Sequence, residues 1–199
     1  MIDDTLLQQL VWTDYRLAVF FTVSLPLILL VWAFVQKAEA MQRLLIIYWR
    51  VASLLAITVY MMFASLPISF IAGWMARILI PISLWFWVDI NDEIDDRSPS
   101  PLKWTLTAWR WAVTVYCILG ALFQISSLQC ATLTTEQLVD TPACRVWLKA
   151  PWGYHAMFHP NTSPQFLGFL GIVGLVIYVV YLLYFCFVRF GKQGRSALG

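Results

Sequence analysis

Asp92 and Asp95 stand three apart in the acidic run Asp89-Ile90-Asn91-Asp92-Glu93-Ile94-Asp95-Asp96-Arg97, directly after Trp85-Phe86-Trp87-Val88. Carboxylates at that spacing can share a hard divalent cation, and magnesium so held can carry a diphosphate. His155 and His159 stand four apart in Trp152-Gly153-Tyr154-His155-Ala156-Met157-Phe158-His159-Pro160. On a helix this puts both rings on one face, as a metal site requires. Pro151, Gly153 and Pro160 leave room for barely two turns, however, and no third ligand is in view. The segment therefore reads as an interfacial loop with aromatic anchors. The sequence assigns no catalytic residue, no metal and no cofactor. No histidine falls within an apolar span, so histidine ligation of a haem or chlorophyll inside the spans is excluded.

Arg50, Arg77 and Arg110 lie within or beside apolar stretches. A cation there costs about 2.5–3.5 kcal/mol on insertion scales, so each needs a partner or a path to the interface. Arg50 and Asp89 are expected to form a structural ion pair, and Asp14 is the nearest counter-charge for Arg77. An anion path or a lipid-headgroup site is the functional alternative, although one arginine does not line a pore. Cys130 and Cys144 share one polar segment. On an oxidising side of the membrane they are expected to form a disulfide worth about 3 kcal/mol in the chain-entropy model, the alternative being two free thiols in a mobile loop. Cys117 and Cys186 fall in apolar stretches, where thiols pack as small apolar groups.

These residues must be positioned by membrane helices. Hydrophobic residues make up 61% of the 199-residue chain and charged residues 12%, more apolar surface than a water-soluble domain of this size can hide. The reading is a single all-α domain over residues 1–199, a polytopic membrane helix bundle of about five transmembrane helices. The spans run roughly over residues 15–36, 44–65, 69–88, 104–125 and 166–190, with an outer loop at 126–165. The reversal near Ser65-Leu66-Pro67-Ile68-Ser69 decides between five spans and four. Lys37, Arg43, Arg50, Arg97, Lys103, Arg110, Arg189, Lys192 and Arg195 then gather on one side, and Arg16, Arg145 and Lys149 on the other. By the positive-inside tendency the N-terminus is outside and the C-terminus inside. Met1-Ile2-Asp3-Asp4 is acidic where a secretory signal is basic, so the first span is expected to remain in the mature protein. A net charge of +2 without a basic, aromatic-interleaved run gives no reason to invoke nucleic acid. Gly168, Gly171 and Gly174 open the last span and offer a helix-packing face.

Asn91-Asp92-x-x-Asp95 resembles the first part of the aspartate motif of membrane prenyltransferases. The motif's later aspartate is absent, with Pro99 near its place, and no second aspartate-rich motif occurs. A solvated connector or docking surface is the better reading. A wider resemblance covers nearly the whole chain. It rests on Leu10-Val11-Trp12-Thr13-Asp14-Tyr15-Arg16-Leu17-Ala18-Val19, Leu44-Leu45-Ile46-Ile47-Tyr48-Trp49-Arg50-Val51-Ala52 and Ala76-Arg77-Ile78-Leu79-Ile80-Pro81-Ile82-Ser83-Leu84-Trp85-Phe86-Trp87-Val88-Asp89. Gly168-Phe169-Leu170-Gly171 and Arg189-Phe190-Gly191-Lys192-Gln193-Gly194-Arg195 belong to it too. These stretches resemble an uncharacterised family, a domain of unknown function, of small polytopic membrane proteins from cyanobacteria and chloroplasts. The resemblance implies a photosynthetic membrane and carries over no activity.

The function expected is that of a non-enzymatic accessory or assembly factor in the thylakoid or plasma membrane of a cyanobacterium. Its partners would be the bilayer and a larger membrane protein complex, with no nucleic acid. One alternative is an enzyme acting on a lipid, pigment or isoprenoid, with Asp92 and Asp95 holding a metal and Arg77 or Arg110 facing a headgroup. Another is a small transporter or channel subunit.

Overall fold

The structure, a computed structural model, describes residues 4–189 and 195–196. Residues 1–3, 190–194 and 197–199 lie outside the described residues, among them Asp3 of the acidic N-terminus and Gly191 and Lys192 of the C-terminal motif. Among the described residues there is no strand, and five helical stretches are long and apolar enough to cross a membrane: Thr5–Val35, Glu39–Phe63, Ile68–Trp85, Pro101–Thr132 and Pro164–Val188.

In chain order, α1 (Asp4–Ala18) and α2 (Leu25–Val35) make the first crossing, joined by a π-helical stretch, Val19–Ser24. Then come α3 (Glu39–Phe63), α4 (Ile68–Trp85), the short acidic α5 (Val88–Asp96) and α6 (Pro101–Gln124), which tightens into a 3-10 stretch, Ile125–Thr132. α7 (Thr135–Asp140) and α8 (Pro142–Phe158) follow, and α9 (Pro164–Tyr184) ends in a π-helical turn, Phe185–Arg189. α3 is the hub, packing against α2, α4, α5, α8 and α9.

Local chemistry sets the ends. Ser100 and Ser163 each precede a proline at the first helical position and accept the backbone N–H of Lys103 and Phe166. Proline has no N–H to lose there, and the serine oxygen satisfies one that would be orphaned. Thr134 and Gln137 form a reciprocal capping box that starts α7. α2 and α3 end on Lys37 and Ser65, with φ of 50° and 54°, in the left-handed region. In both turns the next amide reaches back five residues, Ala38 to Ala33 at 2.9 Å and Leu66 to Met61 at 3.1 Å. That closure makes the two tight reversals.

The apolar helical stretch that holds the first expected span starts at Thr5, and Asp14 is paired with Arg77 inside the bundle. The polar segment 126–165 is mostly helical rather than a loop. Pro151 lies inside α8 and returns no N–H to the Trp147 carbonyl, four residues back. Tyr15 Oη donates to that carbonyl instead, at 3.0 Å. The first crossing repeats the device. Pro26 offers no N–H to Thr22 or Phe21, four and five residues back, and side chains from two other crossings fill in. Tyr48 Oη donates to Thr22 O at 2.7 Å and Trp109 Nε1 to Phe21 O at 2.8 Å. Their rings meet edge to face at 5.0 Å. In lipid no water can take over the Phe21 and Thr22 carbonyls, so these two bonds fix where the first helix sits.

Candidate functional site

Asp92 and Asp95 project from α5, whose Ile90 and Ile94 are buried under the bundle while both aspartates are exposed. Among the described residues no three His, Cys, Asp or Glu side chains converge on one point. Lys103 Nζ caps the C-terminal end of α5, donating to the carbonyls of Asp95 and Arg97 at 2.7 Å each. A cation there offsets the negative pole of the helix. Glu93 lies 3.8 Å from Arg43, which also meets Glu39 at 3.1 Å.

Arg50 and Asp89 do not form the expected pair, since no ion pair within 4.0 Å joins them. Asp89 Oδ2 accepts from Ser196 Oγ at 3.1 Å, so the first turn of α5 engages a residue near the C-terminus. Arg50 lies well down α3, about 16 Å from its start at 1.5 Å per residue, and faces outward. Its guanidinium meets no acceptor among the described residues.

Arg50 instead lines a groove of about 480 Å³ between α3, α4 and the C-terminal end of α9. Arg43 stands seven residues earlier on the same helix and also lines it, so two cations share one wall roughly two turns apart. The remaining wall is almost entirely apolar, including Ile82, Phe86, Leu182 and Phe185. Cys186, an exposed free thiol, stands at its edge.

Deeper in the bundle, Arg77 and Asp14 form a bidentate ion pair between α4 and α1, with Arg77 Nη1 donating to Asp14 Oδ1 at 3.0 Å and Nη2 bonding Oδ2. Both side chains are nearly buried, at 10% and 11% exposure. Tyr116 Oη donates to Asp14 Oδ1 at 3.0 Å, and the guanidinium lies 5.4 Å from the centre of the Tyr116 ring. Gly120, one turn beyond Tyr116, is where Arg77 crosses α6; a Cβ there would collide with its Nη1. Arg110 is buried differently. Nη2 donates to Asn91 Oδ1 at 2.8 Å and to the Leu84 carbonyl at 3.1 Å, and the guanidinium stacks 4.1 Å over Trp85. Its Nε has no acceptor among the described residues. Arg110 thus ties α6 to the α4–α5 junction through neutral groups. The sequence marks these arginines as needing partners; it leaves Tyr116 and Asn91 unmarked, although a glycine four residues after Tyr116 was a trace of the close crossing.

On the far end of the bundle, Cys130 and Cys144 are joined by a disulfide with Cα atoms 5.8 Å apart, linking the 3-10 stretch to α8. His155 Nε2 donates to the Thr162 carbonyl at 2.8 Å, and His159 Nε2 lies 3.5 Å from Tyr60 Oη. Both rings pack on Phe63, at 5.4 and 6.2 Å, in an aromatic cluster at the end of α3. Gly171 brings α9 against the α3 backbone: a Cβ would sit 2.8 Å from Met61 Cγ and 2.9 Å from Met61 N. Gly168 meets Ala64, and a Cβ on Gly174 would lie 3.2 Å from Ile57 Cγ1.

The arrangement has one locked interior and one open, charged groove; the ion pair serves as a helix-to-helix lock, and the groove, unlike that interior, has room for a ligand. No curated protein and no solved structure matches the chain. The family described as protein of unknown function DUF3177 matches residues 8–198, and the chain belongs to that family.

Proposed function

From that membership, we propose that this chain is a non-catalytic accessory or assembly factor that binds a larger protein complex of a photosynthetic membrane. The supporting observation is the state of α9. Only 17% of the most apolar window of that crossing is buried in the chain itself, against 44% for α4. A single stripe of glycines holds it to α3, while Val176, Ile177, Val180, Leu183 and Phe187 stay exposed. Partner recognition between helices in lipid depends on such a face, with packing rather than water exclusion as the driving force. The resemblance of the Trp12, Trp49 and Trp85 stretches supports the thylakoid or plasma membrane of a cyanobacterium as the setting. The cation distribution supports an N-terminus outside and a C-terminus inside, with Arg16, Arg145 and Lys149 on the outer side.

The test is gentle solubilisation of native membranes, with a photoreactive residue at Val180 and migration on a native gel. Co-migration and crosslinking with a larger complex is the expected result. A chain that runs only as a free monomer, without crosslinks, refutes the reading. The catalytic alternative separates cleanly. Were Asp92 and Asp95 to hold a metal for lipid, pigment or isoprenoid chemistry, replacing both with alanine would abolish the phenotype while protein levels stayed constant.

A further inference from the structure

We propose that the groove between α3, α4 and the end of α9 is a binding site for an anionic membrane lipid, with the headgroup phosphate on Arg50 and Arg43 and an acyl chain along the apolar wall. This stands apart from the partner-binding reading, because Val176, Ile177, Val180 and Leu183 do not line the groove.

Charge complementarity identifies the occupant. Arg50 lies within a candidate crossing, exposed, with no acceptor among the described residues, unlike Arg77 and Arg110, which donate to Asp14 and Asn91 on neighbouring helices. A cation left at that depth calls for an anion that can itself reside there, and a soluble anion cannot. A long arginine side chain rises toward the headgroup level along its own helix. Arg43, roughly two turns nearer the membrane surface, is already there, half-exposed and meeting Glu39 through Nη2 and, at 3.8 Å, Glu93 through Nη1. The two guanidiniums therefore bracket the level a lipid phosphate occupies, and planar guanidinium groups match phosphate oxygens in pairs. The rest of the wall is aliphatic and aromatic, with Ile82, Leu182 and Phe185 offering carbon to an acyl chain. An uncharged quinone or pigment would fill the same apolar wall and leave Arg50 without its counter-charge. The Cys186 thiol at the edge gives a reporter, since Cys117 is buried and Cys130 and Cys144 are bonded to each other.

The full chain, purified in neutral detergent, is incubated with phosphatidylglycerol or with phosphatidylcholine of identical acyl chains, and retained lipid is counted by native mass spectrometry. Phosphatidylglycerol is expected to be retained in preference and to slow maleimide labelling of Cys186, whereas inorganic phosphate leaves labelling unchanged. Arg50→Gln should cut phosphatidylglycerol retention about tenfold, the loss of one good charge-assisted contact, without changing phosphatidylcholine. Arg50→Lys should retain an intermediate share. Ile82→Trp, which fills the groove and keeps both charges, should lower retention as well, and circular dichroism confirms that each variant keeps its helices. Equal retention of the two lipids overturns the proposal. So does protection of Cys186 by inorganic phosphate alone, or phosphatidylglycerol retention unchanged in both Arg50→Gln and Ile82→Trp.

Discussion

α4 and α9 are both long and apolar enough to cross a membrane, and the more hydrophobic of the two is the less buried. Among the described residues the first and last crossings are the most apolar, yet 22% and 17% of their windows are covered, against 39–44% for the three between them. In water that order would be reversed. In lipid, apolar side chains gain nothing by leaving the tails, and what must be enclosed is polar. α4 carries Arg77 and the Trp85 ring that Arg110 covers, and its neighbours supply Asp14, Tyr116 and Thr114 to meet them. α9 carries almost nothing that needs a partner, apart from Tyr178, whose hydroxyl donates to Val51 O at 3.4 Å. It is attached by shape, through glycines that admit the α3 backbone. Polar locks hold the inner crossings, and close packing holds the outer one.

The contrast fails first at the ion pair if it is wrong. Arg77→Leu or Asp14→Leu alone leaves an uncompensated charge inside the bundle and should destabilise by about 3–5 kcal/mol. The double variant, which removes both charges, should recover most of that loss, measured by thermal unfolding in detergent. A double variant as damaged as the worse single would show that packing, not charge balance, holds α1 to α4. The outer crossing should respond to bulk and not to charge. Gly171→Val forces a side chain against Met61 N, a backbone atom that cannot step aside, and should cost about 1–3 kcal/mol. Val180→Ala on the exposed face of the same helix should change stability by less than about 0.5 kcal/mol. Equal losses at the two positions would mean that α9 is held by more than its glycine stripe.

The crossings were legible because lipid demands long apolar helices, whatever their partners. The turn at Ser65 was legible for a similar reason, since proline and serine end helices locally. The partner of Arg77 was legible as well, because Asp14 is its nearest counter-charge and the two do pair. Arg50 shows where that logic fails: span order put it beside Asp89, but depth along α3 and the direction it faces are three-dimensional facts. The 126–165 segment misled because its prolines were read as breaks. Pro142 opens a helix and Pro151 is carried inside one, and only the distant Tyr15 hydroxyl makes the second tolerable. The sequence named the right partner for Arg77 and for Cys130, and the wrong one for Arg50.

Tyr15 and Pro151 give the smallest effect and the sharpest separation of lock from packing. Tyr15 Oη lies 3.0 Å from the Trp147 carbonyl and 3.1 Å from Met62 Sδ, so Tyr15→Phe removes a donor while keeping nearly all of the ring's contacts. Left without it, the carbonyl of the buried Trp147 has no N–H from position 151, and the loss should be about 1–2 kcal/mol. Pro151→Ala supplies the missing N–H within α8 itself. In that background the carbonyl is satisfied with or without the tyrosine, and Tyr15→Phe should become almost silent. The cycle of four proteins should show a coupling of about 1 kcal/mol in thermal or denaturant unfolding. Were the two changes simply additive, the hydroxyl would be spending its proton on the Met62 sulfur, and the proline would have no part in holding α8 to α1.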